Sequence, residues 1–113
     1  METAAAVPLL SALAQPSRLA VFRLLVEAGP KGLPAGEIAE RLGLAAATLS
    51  FHLKELSHSG LTQSRQDGRF VIYSANFEAM NGLIAFLTEN CCRGSSCEVA
   101  TTTCKPATGK KEK

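Results

Sequence analysis

Four cysteines, Cys91, Cys92, Cys97 and Cys104, fall within fourteen residues near the end of a 113-residue chain that has no other cysteine. Thiolates are soft ligands and select soft ions. In a reducing compartment, clustered thiols bind metal or metalloid more often than they form structural disulfides. The spacing C-C-x4-C-x6-C differs from the C-x(2–4)-C pairs usual in structural zinc sites. The cluster therefore fits a soft ion held by a few thiolates, zinc or cadmium held by all four, or a thiol redox switch. Adjacent helical residues point about 100° apart. Cys91 and Cys92 can share one ion only where a helix unwinds. Gly94 and two serines give Cys97 room to fold back, and Cys104, beyond a Thr-rich stretch, is the least constrained ligand.

The remainder of the chain is built differently. Residues 1–90 carry seven Lys/Arg and eight Asp/Glu, hence −1; residues 91–113 carry five and two, hence +3. The length fits one ordinary domain, and 46% apolar residues suffice for a packed core. The composition predicts a folded unit over 1–92 and a flexible tail, rich in cysteine and lysine, over 93–113. No run of 18 apolar residues is present and the start, METAAAVPLL, lacks a basic segment. Neither a membrane span nor a secretory signal is expected, and the expected compartment is the cytoplasm.

Positioning elements can be read from periodicity. Residues 7–14 suit a short apolar helix. A second helix starts at Gln15-Pro16 and stops at Gly29-Pro30, with Leu19, Phe22 and Val26 inward and Val21 and Leu25 beside them. Residues 30–34 form a connector. A third helix over 35–42, with Ile38 and Leu42 inward, ends at Gly43. A fourth runs from Ala46 to Ser59 with Leu49, Leu53 and Leu56 as its buried stripe, and Gly60 ends it. Residues 61–66 and 69–75 alternate around Asp67-Gly68, a strong hairpin signal. A last helix over 76–90 carries Phe77, Met80, Ile84, Leu87 and Cys91 at coiled-coil-like spacing, widened by Leu83 and Phe86. Such a seam needs a cover, and a second copy of the chain is the simplest one.

The order helix, turn, helix, hairpin is that of a winged helix-turn-helix: mainly α with a β-hairpin wing. The second helix of such a pair enters the major groove of double-stranded DNA. Its outer face here is read as Ala47, Thr48, Ser50, His52 and Lys54, small or hydrogen-bonding groups suited to base edges and phosphates. Phe51 is an apolar ring amid that polar face. Arg65 and Arg69 on the wing suit phosphates or the minor groove. No nucleophile–base pair and no phosphate-cradling glycine loop is present, so no enzyme and no organic cofactor is expected.

The segments LAQPSRLAVFRLL, GEIAERLGLAAATLSFHLKELSHSGL and RQDGRFVIYS resemble the ArsR/SmtB family of metal-sensing winged-helix repressors over about residues 7–92. The resemblance implies a homodimer through the first and last helices, a palindromic operator and release from DNA when inducer binds. It assigns Thr48, Ser50, His52 and Lys54 to the recognition helix and Arg69 to the wing. Members often carry Ser-Gln where this chain has Ala45-Ala46, which implies a lost helix cap. The family's Cys-x-Cys site on the third helix and its His/acidic zinc site on the last helix are both absent from this sequence. LTENCC with a nearby third cysteine is similar to arsenic repressors whose three-cysteine site lies at the end of the last helix. The implied inducer is arsenite at Cys91, Cys92 and Cys97, with Cys104 as a further candidate. Trivalent arsenic takes three thiolates in a pyramid; antimonite and methylated arsenicals would compete for them.

Overall fold

Pro16 at the first helical position and Gly29 after the last bracket the second helix, α2 (Pro16–Ala28), and the Gln15 side chain caps its start by accepting from the Arg18 backbone N–H at 2.7 Å. The structure, a computed structural model, describes residues 1–90. Before α2 comes α1 (Thr3–Leu13); after it follow β1 (Leu33–Pro34), α3 (Ala35–Leu42), α4 (Ala46–Ser59), β2 (Thr62–Asp67), β3 (Phe70–Ala75) and α5 (Phe77–Leu87). Three antiparallel strands in the order β1-β3-β2 make the wing sheet. The winged helix-turn-helix expected from the sequence is the observed fold.

The core sits where α2, α3, α4 and the base of the hairpin meet. Its largest fully buried side chains are Val21, Leu25, Ile38, Leu49, Leu56 and Leu61. Each stabilises the fold by roughly 1.5–3 kcal/mol through lost apolar hydration. Val21 and Leu25 come from α2, Ile38 from α3, Leu49 and Leu56 from α4 and Leu61 from the link into β2, and Ala6, Leu9 and Ala12 of α1 join the same cluster. Asn76 fastens the far end of α4. Its Oδ1 accepts from the Ala79 N–H and caps α5, its Nδ2 donates to the Gly60 carbonyl at 2.9 Å, and its backbone N–H donates to the Leu61 carbonyl at 2.8 Å. One residue thus joins the start of α5 to the end of α4.

Several expectations are corrected. The first helix starts at Thr3 rather than residue 7, because Ala4–Ala6 are strong helix formers, and Pro8 lies inside it. Leu19 is exposed, since it lies about 200° round α2 from Val21. The connector is not plain loop: Leu33 and Pro34 pair with Tyr73 and Ile72 as a third strand. The hairpin loop is Gly68-Arg69, one residue later than Asp67-Gly68, because Asp67 still pairs with Phe70. Gly68 at φ +62° as the first loop residue is the arrangement of a II′ turn. In α5, Leu83 is the buried residue while Phe77, Met80 and Ile84 are half-buried and Leu87 is exposed. The helix stops at Leu87 instead of Asn90, with the Thr88 hydroxyl donating back to the Ile84 carbonyl at 2.9 Å. Asn90, just before Cys91, has φ +56°.

Gly32 allows β1 to approach β3. It has φ +70°, and a Cβ there would collide with the Tyr73 carbonyl oxygen. Gly32→Ala should therefore destabilise the domain by about 1–3 kcal/mol through backbone strain. Thermal denaturation followed by circular dichroism checks this; an unchanged midpoint would show that β1 is dispensable.

Candidate nucleic-acid interface

Gly43 ends α3, and the Leu44 N–H reaches back to the Ala39 carbonyl at 3.0 Å, so only Gly43, Leu44 and Ala45 separate the two helices. Ala45 stands at the N-cap of α4 and offers no side-chain hydrogen bond, as the Ala45-Ala46 substitution implies. A Ser, Thr, Asp or Asn there is worth about 1 kcal/mol; here the Leu49 N–H is satisfied by the Ala45 carbonyl at 2.9 Å. Burial of Leu49, Leu53 and Leu56 turns the opposite side of α4 to solvent. Ala47, Thr48, Ser50 and Lys54 are all exposed there, as a groove-reading helix requires.

His52 departs from the expected face. It is only 6% exposed, and its Nδ1 is buried with no hydrogen-bond partner among the described residues. The cause is helical geometry. His52 lies three residues after Leu49 and four before Leu56, so it shares their side of the helix. Its ring rests tilted against Phe51, with centroids 5.8 Å apart.

Phe51 is 55% exposed and is steadied from α2. The Arg18 guanidinium lies 5.8 Å from its ring centroid and also 3.7 Å from the Glu55 carboxylate. A cation over a partly exposed ring contributes about 0.5–1 kcal/mol; the half-exposed ion pair contributes less than about 1 kcal/mol. Arg18 thus braces the middle of α4. Sequence reasoning missed it because no local spacing links Arg18 to Phe51, 33 positions later; only the α2–α4 packing does.

The two wing arginines are not equivalent. Arg65 pairs across from Ile72, and its Nη2 donates to the Lys31 carbonyl at 2.8 Å, tying the wing to the loop before β1. Arg69 sits in the turn and is exposed. Lys54 and Arg69 are therefore the cations on the two presenting elements that make no such bond among the described residues.

The predicted thiol ligands Cys91, Cys92, Cys97 and Cys104, and the expected tail over 93–113, lie outside the described residues. Among the described residues, no three His, Asp or Glu side chains gather closely enough to hold a metal ion. No single helix among them is long and apolar enough to cross a membrane.

A solvent-facing helix of small and hydroxyl residues beside a basic-tipped hairpin defines a winged helix-turn-helix DNA-binding protein. Comparison with known proteins agrees. Residues 13–65 match a helix-turn-helix domain family. Over 87 residues the chain is 38% identical to the HTH-type transcriptional regulator YgaV of Escherichia coli (strain K12), spanning 77% of this chain and 86% of that protein. The solved structure of HlyU from Vibrio cholerae superposes with a TM-score of 0.64 at 33% identity, covering 81% of this chain and 99% of that one. An ArsR-like transcriptional regulator from Rhodococcus sp. RHA1 superposes with a TM-score of 0.67 at 26% identity, covering 77% and 78%. The chain belongs to the helix-turn-helix transcriptional regulators.

Burial assigns His52 to holding α4 in place rather than to reading bases. His52→Ala should lower stability by about 1–3 kcal/mol, within the range for a lost core group. A variant that melts like the wild type yet loses DNA affinity would return His52 to the contact surface.

Proposed function

We propose that this chain is an ArsR/SmtB-type repressor that binds a two-fold operator as a homodimer and leaves it when trivalent arsenic binds Cys91, Cys92 and Cys97, with Cys104 as an additional thiolate. The observation that carries the DNA-binding half is the exposed surface of α4, where Ala47, Thr48, Ser50 and Lys54 stand clear of the core. Ala and Thr methyls suit a thymine methyl, and hydroxyls suit base edges or phosphates. Val7 and Leu10 on α1 and Leu87 on α5 are exposed apolar side chains on the two helices that a second copy would cover. Two copies would set their recognition helices in successive major grooves about 34–36 Å apart.

The inducer half rests on donor chemistry. Three or four soft thiolates suit a soft trivalent ion better than a hard one. Regular α5 ends before the cysteines, with Thr88, Glu89 and Asn90 between Leu87 and Cys91. A physical route to the reading head also exists: α5 begins at Asn76, whose side chain holds the Gly60 carbonyl at the end of α4. A change in α5 therefore acts on a residue that anchors the recognition helix.

An operator duplex selected from a random-sequence library tests both halves. Arsenite should weaken binding by about 5- to 150-fold, the usual range of allosteric coupling. Cys91→Ser, Cys92→Ser and Cys97→Ser should bind DNA normally and ignore arsenite. Parallel titrations with antimonite, methylarsenite, zinc, cadmium and a mild oxidant read out the other inducers. Normal arsenite release by all three variants would remove the assigned site. On the DNA side, Lys54→Ala should weaken binding and lower the salt slope by about one. An unaltered slope would mean that Lys54 touches no phosphate.

A further inference from the structure

The chain has six aromatic residues, five Phe and Tyr73, and no tryptophan. All six lie within the described residues. Phe22 is buried, and Tyr73, Phe77 and Phe86 are half-buried. Only Phe51 and Phe70 are exposed, at 55% and 61%. Both stand on the elements proposed to meet DNA. Phe51 already has a neighbour in Arg18. Phe70 has no stacked ring or cation among the described residues.

The position of Phe70 follows from the hairpin register. Ile72, two residues along β3, shares its face of the sheet and is buried, at 8% exposure. The row continues past the edge of the core and leaves Phe70 in water. Its cross-strand partner is Asp67, whose small side chain covers little of the ring, and the intervening loop is Gly68-Arg69. An exposed phenyl group therefore adjoins an exposed cation at the tip of the wing. Leaving a ring of that size in water has no folding benefit. Of the two exposed charged residues that flank the ring, Asp67 and Arg69, Arg69 sits in the turn and can face a phosphate.

We propose that Phe70 is a DNA-contacting residue: the wing sets its ring into the minor groove at the outer flank of each half-site, against deoxyribose and base edges, while Arg69 faces the adjacent phosphate. Apolar wedges beside cations are a recurrent means of gripping the minor groove. An apolar contact of this kind adds affinity and favours easily deformed steps without releasing counterions. The proposal rests on the DNA-binding reading given above.

The test uses two variants of the full chain on the selected operator duplex. Phe70→Trp places the sole tryptophan of the protein at the contact. Its emission should change on adding operator, and acrylamide quenching should fall about threefold or more as the indole leaves water. Phe70→Ala should bind roughly tenfold more weakly with the salt slope retained. Arg69→Ala should instead lower the slope by about one. Circular dichroism confirms that the variants are folded, as expected for an exposed site. Quenching that is equal in free and bound Phe70→Trp, or undiminished affinity of Phe70→Ala, overturns the contact and leaves the DNA-binding reading intact. A Phe70→Ala defect in self-association, seen by sedimentation without DNA, overturns it in favour of a contact between copies. Failure of the wild type to bind any selected duplex overturns the reading itself, and the contact with it.

Discussion

The leucine stripe of α4 governs this molecule. Leu49, Leu53 and Leu56 are buried with Val21 and Leu25 of α2 and Ile38 of α3, and that burial decides which residues of α4 face outward. A rotation of the helix by one residue, about 100°, would drive Ser50 into the core and bring Leu49 into water. The buried leucines make such a rotation costly at several kcal/mol. Outward presentation of Ala47, Thr48, Ser50 and Lys54 is therefore a consequence of hydrophobic packing, not of any polar contact they make.

Secondary contacts refine that placement. Arg18 reaches from α2 to Phe51 and Glu55 and steadies the middle of α4. Asn76 ties the end of α4 to the start of α5. Arg65 pins the wing to the loop before β1. These contacts tie the helix, the wing and the last helix into one framework, and in the proposed function an inducer bound after α5 acts on that framework. With a net charge of only +2, binding to DNA in the proposed function depends on where a few cations and small side chains stand and on pairing two copies. Overall basicity contributes little.

Most of the framework was legible in the sequence. The third and fourth helices have the expected bounds, because Gly43 and Gly60 stop them and the apolar spacing between is helical. The hairpin was legible from alternation around a glycine turn. What escaped was non-local. Leu33 and Pro34 become a strand only by meeting Tyr73 and Ile72, about forty positions away. Arg18 meets Phe51 only through helix packing. His52 was misplaced because its polarity was weighed above its position: imidazole is polar enough to read as surface, yet it falls on the leucine side of α4. The thiol cluster is the converse case. Its chemistry is plain in the residue types, while its positions lie beyond the described residues.

Hydroxyl-radical footprinting of the selected operator tests the paired DNA reader most directly. Two tracts of protection should appear on one face of the duplex, centred about one helical turn or a whole multiple of a turn apart, with matching minor-groove protection at the outer flanks. A single isolated tract, or uniform weak protection along the duplex, would contradict two recognition helices held in register by one folded pair.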